Sequence, residues 1–104
     1  MVILREIITE IASVTQRPDK VVGVHFFNPA PVMQLVEMIR GFDTSDDTFG
    51  VSKAFIKRIG KTPIEVKESP GFAVNRILCP MINEAIYTLY QGIAGVEEID
   101  KVMK

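Results

Sequence analysis

The sequence predicts an α/β arrangement that gives way to a purely helical stretch, and three observations carry this. Helix-period and strand-period segments alternate as far as Lys67, no strand-like run follows, and Ser69-Pro70-Gly71 breaks the chain between the two regimes. The predicted order is helix, strand, strand, helix, strand, then two helices. This divides the chain into residues 1–69, part of one domain, and residues 70–104, the start of another. A length of 104 residues allows one domain or pieces of two, because independent domains usually run about 100–200 residues.

Ile3, Ile7, Ile8, Ile11 and Val14 recur near a 3.6-residue period and predict a helix over about Val2–Ala12, ended by Arg17-Pro18-Asp19. Val21–Phe27 is β-branched and aromatic and apolar on both faces, as a buried central strand would be, and it stops at Asn28-Pro29. Gln34–Arg40 reads as a second strand, with Leu35, Glu37 and Ile39 on one face and Val36 and Met38 on the other. A helix is the competing reading there. Thr44-Ser45-Asp46-Asp47 supplies a capping hydroxyl followed by acidic residues, which starts a helix whose buried stripe is Phe49, Ser52, Phe55, Ile56 and Ile59 and whose stop is Gly60.

Thr62–Lys67 alternates Ile64 and Val66 with Glu65 and Lys67 and reads as an edge strand entered through Pro63. Val74, Ile77, Leu78, Met81, Ile82, Ala85, Ile86 and Leu89 then trace a long helix that contains Pro80, predicted to kink it, and that closes at Gly92. Cys79 and Met81 lie on this stripe as core residues. Val96–Lys104 is a final short helix.

Composition excludes several classes of function. Hydrophobic residues make up 47% of the chain and charged ones 24%, which suits a packed core rather than a disordered segment. Twelve basic residues against thirteen acidic ones leave no basic excess for tracking nucleic acid or an anionic membrane surface. The apolar runs are far shorter than the roughly 20 residues a membrane span needs, and the first segment has no signal-peptide cleavage site. One cysteine, Cys79, allows no internal disulfide and no Cys-rich metal site, so no metal is expected and a cytoplasmic setting fits. The chain carries no Gly-rich phosphate loop.

His25 is the only histidine. A lone histidine specifies no reaction, and taken by itself it reads first as a structural or edge residue and only with a partner as a chemical one. Glu37, twelve residues on, is its natural partner: an antiparallel return would set the carboxylate beside the imidazole, fixing its tautomer and stabilising its charged form. Asn28 follows the first strand, where α/β sheets present ligand-binding loops, and is also an ordinary turn residue before proline. Asn75, near the start of the long helix, suits a solvent-facing position and a cleft contact equally.

Gly23-Val24-His25-Phe26-Phe27-Asn28-Pro29-Ala30-Pro31-Val32-Met33, continuing through Leu35-Val36-Glu37, resembles the signature of the (S)-3-hydroxyacyl-CoA dehydrogenases, most closely the bacterial 3-hydroxybutyryl-CoA dehydrogenases. The likeness continues in order through Gly41 with Thr44-Ser45-Asp46, Gly60-Lys61-Thr62-Pro63, Pro70-Gly71-Phe72-Ala73-Val74-Asn75-Arg76-Ile77-Leu78, Asn83-Glu84-Ala85 and Glu98-Ile99-Asp100. The resemblance implies the C-terminal part of a Rossmann-like NAD-binding domain, followed by the first helices of an all-α domain. It further implies an NAD-dependent, reversible oxidation of a 3-hydroxyacyl-CoA to the 3-ketoacyl-CoA, in fatty-acid or butyrate metabolism. His25 would be the general base, Glu37 its orienting carboxylate, Asn28 a contact near the nicotinamide and Asn75 a contact to the substrate. A homo-oligomer joined through the helical domain is implied as well.

The chain departs from the family pattern in two places. The Gly-rich Rossmann half has no counterpart, and with it goes the residue that would read the ribose of NAD or NADP. Where the family has Asn-Thr-Ser-Ser before Ile-Thr-Glu-Ile-Ala, this chain reads Val2-Ile3-Leu4-Arg5, so a substrate-binding serine is missing. The expectation is a fragment of about a third of the usual enzyme, weak or silent toward NADH alone and prone to associate. The competing expectation is a non-enzymatic interaction module that pairs with a full-length subunit through Phe72–Gln91.

Overall fold

A computed structural model describes residues 8–104, so the positions read as Val2–Ile7 of the first helix, including Val2-Ile3-Leu4-Arg5, lie outside the described residues. The chain forms two compact units, one reaching to Ala73 and one from Val74 to Lys104.

In the first unit, helix α1 (Ile8–Ser13) and a 3-10 turn at Pro18–Lys20 lead into β1 (Gly23–Phe26), followed by β2 (Leu35–Arg40), helix α2 (Asp46–Arg58) and β3 (Thr62–Lys67). The three strands form one mixed sheet in the order β1-β2-β3, with β1 antiparallel and β3 parallel to β2. The strand reading of Gln34–Arg40 therefore holds over its helical competitor, and Val36 to Ile39 are all buried. The sheet makes one correction. Among the described residues the central strand is β2, whereas β1 is an edge whose Val24 and Phe26 are exposed. An apolar run records that a strand meets apolar neighbours, and the number of strands it pairs with is a property of the whole sheet.

Strand alternation gives the sheet two different faces. Val36 and Met38 point to one, where they pack with Phe49 and Ile56 of α2 and with Val22. Gly23, His25, Glu37 and Ile39 share the other, because Gly23 stands opposite Ile39 and His25 opposite Glu37. Ile8 covers the Gly23 end of that face so closely that a Cβ on Gly23 would lie 2.6 Å from Ile8 Cδ1 and 3.0 Å from Ile39 Cβ. Glycine is thus required there by close packing.

Helix α2 starts as its sequence predicts. Ser45 Oγ accepts from the Thr48 amide at 3.1 Å, while Asp46 and Asp47 occupy the positive end of the helix dipole. At its other end Gly60 takes φ +82, and the Lys61 amide donates back to Ile56 O. Only Phe49 and Ile56 of the predicted stripe are buried; Phe55 and Ile59 are exposed and Ser52 is half-buried. The sheet face covers Phe49 and Ile56, while the 3-10 turn meets only the first turn of α2, through Thr48 Oγ1 donating to Asp19 O, and leaves Phe55 and Ile59 uncovered. Arg40 rests on the Phe49 ring at 4.5 Å and pairs with Asp46 and Glu65. Its guanidinium is raised above its ordinary value, first by the hydrogen bond to Asp46 and then by the charge of Glu65.

The second unit consists of α3 (Val74–Tyr90) and α4 (Val96–Val102). Pro80 sits within α3, which runs on without a break, and Gly92 with φ +71 ends it, as its Ile93 neighbour donates to Thr88 O. Neither helix has a buried residue, and Cys79 is exposed. The expected core role of Cys79 and Met81 is therefore corrected. Two helices alone cannot enclose a stripe as wide as that of α3.

Candidate acid-base site

His25 and Glu37 come together because β1 returns antiparallel into β2 with these two residues in register. The intervening chain, which includes a cis Asn28–Pro29 bond, is tied down by Lys61, whose Nζ donates to Ala30 O and to Met33 O. The imidazole Nδ1 lies 3.3 Å from Glu37 Oε1. When Nδ1 carries the proton and donates it to the carboxylate, Nε2 is left with the lone pair.

Burial differs sharply across the pair. The Glu37 side chain is 0% exposed and that of His25 28%. A buried carboxylate must be satisfied by donors, and the second Glu37 oxygen, Oε2, accepts from the Ala73 amide at 2.7 Å. The carboxylate is therefore gripped from two sides, by the imidazole and by a backbone N–H. Two aromatic rings flank the imidazole, Phe27 at 4.7 Å and Phe72 at 5.3 Å between ring centroids.

Asn28 lies two residues beyond the carboxyl end of β1 and is exposed. Asn75 is the second residue of α3, in the second compact unit, and is also exposed. Sequence reasoning places Phe27 on the face of His25 without naming it a site residue, and it misses Phe72 and the Ala73 amide. Alternation from His25 was a signal for Phe27, and Pro70-Gly71 marked a tight turn, but no pattern in the sequence announces a backbone donor. Among the described residues no group of three or more His, Cys, Asp or Glu could hold a metal. No helix there is long and apolar enough to cross a membrane.

On this mixed sheet a buried carboxylate faces a part-open imidazole across an antiparallel ladder, the form of an acid-base pair. Comparison with known proteins makes the class specific. Residues 6–69 match the family model for the 3-hydroxyacyl-CoA dehydrogenase NAD binding domain, and residues 71–104 match that for the C-terminal domain of the same family. The chain belongs to the 3-hydroxyacyl-CoA dehydrogenase family. It is 58% identical over 97 residues to a probable 3-hydroxybutyryl-CoA dehydrogenase of Bacillus subtilis, covering 93% of this chain and 34% of that protein. Against the mitochondrial hydroxyacyl-coenzyme A dehydrogenase of Homo sapiens the identity is 50%, covering 93% and 31%. The crystal structure of (S)-3-hydroxybutyryl-CoA dehydrogenase from Ralstonia eutropha superposes with a TM-score of 0.88 at 61% identity, covering 93% of this chain and 34% of that one. The chain thus spans about a third of the length of the relatives it matches.

These relatives support the expected fold, the C-terminal part of a Rossmann-like NAD-binding domain followed by the first helices of the C-terminal domain. NAD is the cofactor of this family's first domain. The residues present suit its reacting end, where a part-open imidazole precedes an exposed amide side chain at Asn28. They supply no Gly-rich turn for its pyrophosphate.

Proposed function

We propose that this chain contributes the acid-base centre of an NAD-dependent 3-hydroxyacyl-CoA dehydrogenase acting on substrates of the 3-hydroxybutyryl-CoA type. The observation that carries the proposal is the His25–Glu37 pair, with the carboxylate buried and the imidazole part open. In the oxidative direction His25 Nε2 accepts the proton of the substrate's C3 hydroxyl. NAD, when bound, supplies the acceptor for the hydride that leaves C3. Glu37 holds Nδ1–H, keeps Nε2 available as acceptor and offsets the positive charge that builds on the ring. In the reductive direction the imidazolium returns the proton to the carbonyl oxygen.

In this reading Asn28 contacts the nicotinamide end of NAD and Asn75 the reacting end of the acyl-CoA, and the domains meet near Ser69. The setting is cytoplasmic, in fatty-acid or butyrate metabolism, with neither nucleic acid nor membrane as partner. Assembly is a homo-oligomer through the helical segment. The apolar residues exposed along α3 and α4, such as Ile77, Ile86, Tyr90 and Val102, support that assembly.

The test is an exchange enzyme, in which residues 8–104 replace the matching stretch of the Bacillus subtilis relative. NADH oxidation driven by acetoacetyl-CoA should be retained, and His25→Gln in that background should lower kcat by about 10²–10⁴. A folded exchange enzyme that oxidises no NADH, or one indifferent to His25→Gln, would overturn the proposal.

A further inference from the structure

The segment that follows β3 does more at the site than join two parts of the chain. Gly71 has φ 77 and Phe72 has φ 52, so two successive residues adopt left-handed backbone. Glycine does this freely, but phenylalanine does so at a cost, because its Cβ crowds the following carbonyl. A strained residue persists only where its surroundings hold it, and such residues gather at functional sites. The Phe72 amide donates to Ser69 O at 3.0 Å, its ring lies against His25, and the next amide, that of Ala73, donates to Glu37 Oε2.

We propose that Phe72 is a positioning residue for the His25–Glu37 pair, acting through its ring on the imidazole and through its left-handed backbone on the carboxylate. The inference rests on the acid-base reading of that pair and adds to it what keeps the pair aligned. The two actions have separate physical origins. The ring, together with that of Phe27, packs on the imidazole and restricts it to the rotamer that faces Glu37. The backbone turn aims the Ala73 N–H at the oxygen that His25 does not use. A right-handed or extended Phe72 would direct that N–H elsewhere.

Two substitutions separate these actions. Phe72→Gly keeps the turn, since glycine accepts positive φ, and removes the ring. Phe72→Val resists the turn, since a β-branched residue at positive φ is an outlier. His25 is the only histidine in the chain, so its ring protons can be followed in the full chain by NMR without ambiguity. Phe72→Gly should leave the Ala73 amide protected from exchange while the His25 ring loses its single rotamer. Phe72→Val should speed exchange at Ala73 by about tenfold or more, the loss expected for a hydrogen bond to a charged group. Phe72→Tyr should restore both readings.

In the exchange enzyme Phe72→Gly should lower kcat by about tenfold or more, with KM for acetoacetyl-CoA within about twofold and Tyr restoring kcat. Should Phe72→Val fail to fold, the Gly and Tyr variants still decide. A Phe72→Gly protein in which the His25 rotamer and kcat both match the parent would overturn the inference. Failure of the acid-base reading is a different result, since it shows as indifference to His25→Gln whatever Phe72 does.

Discussion

Glu37 stands directly opposite His25 in the β1–β2 ladder, its carboxylate wholly buried and the facing imidazole 3.3 Å away and part open. Each member of the pair meets a different medium. The carboxylate is fixed by protein donors, and the ring is part open to solvent.

Replacing Glu37 separates orientation from folding. Glu37→Gln retains the shape and one acceptor, for the Ala73 amide, but turns an NH2 toward His25 Nδ1 and so favours the other tautomer; kcat in the exchange enzyme should fall by about 10²–10⁴ with a smaller loss of stability than an alanine causes. Glu37→Ala leaves the Ala73 amide without its carboxylate and should also destabilise the full chain by about 1–3 kcal/mol. Urea unfolding monitored by circular dichroism distinguishes the two. Equal midpoints for the Gln and Ala variants would contradict the structural half of the argument.

Gly23 tests the opposite end of the same sheet face. Adding a methyl group by Gly23→Ala brings Cβ to 2.6 Å from Ile8 Cδ1 and 3.0 Å from Ile39 Cβ. Overpacking of this kind costs about 1–3 kcal/mol. Ile8→Val should recover part of that loss, so a double-mutant cycle is expected to show coupling between residues 8 and 23.

Lys61 bonds the chain between β1 and β2 through two carbonyls. Lys61→Met keeps the stem and removes the donors, and should cost about 1 kcal/mol. Backbone exchange between Ala30 and Met33 should quicken while the β2 amides stay protected. Unchanged exchange there would show that this stretch holds its shape without the lysine.

Arg40 gives a prediction about pH. Its folded-state value is raised, chiefly by the hydrogen bond to Asp46. A raised value in a basic group contributes stability that is complete below the group's ordinary value, itself far above neutral, and is lost only as pH climbs past the folded one. Arg40→Gln should therefore lower the urea midpoint by the same amount at about pH 6 and about pH 9, and a loss confined to one of these would refute this account.

Much of this architecture is legible in the residues themselves. The Ser45 cap, the Gly60 and Gly92 stops and the alternation in Thr62–Lys67 are local signals, each produced by the residues that show it. The pairing of His25 with Glu37 was also within reach, because an antiparallel return is the simplest path between two adjacent strands. Burial was not. Phe55, Ile59 and Met81 are apolar at helical spacing yet exposed among the described residues, since periodicity marks which side of a helix seeks cover and not what covers it. The left-handed backbone of Phe72 left no trace beyond the glycine before it. Beyond the local bond to Ser69 O, the contacts that hold it, His25 and Glu37, lie more than thirty positions away.

The two-sided alternation of β2 has an effect on folding fidelity. Val36 and Met38 face the helix while Glu37 and Ile39 face the other way, so a slip of one residue would exchange carboxylate for methionine without changing how many strands are formed. A slipped chain could keep its secondary structure and lack the pair entirely. For this protein, recovery of ellipticity after denaturation is a poor proxy for recovery of the native register, and only a signal from His25 itself reports that the correct molecule has formed.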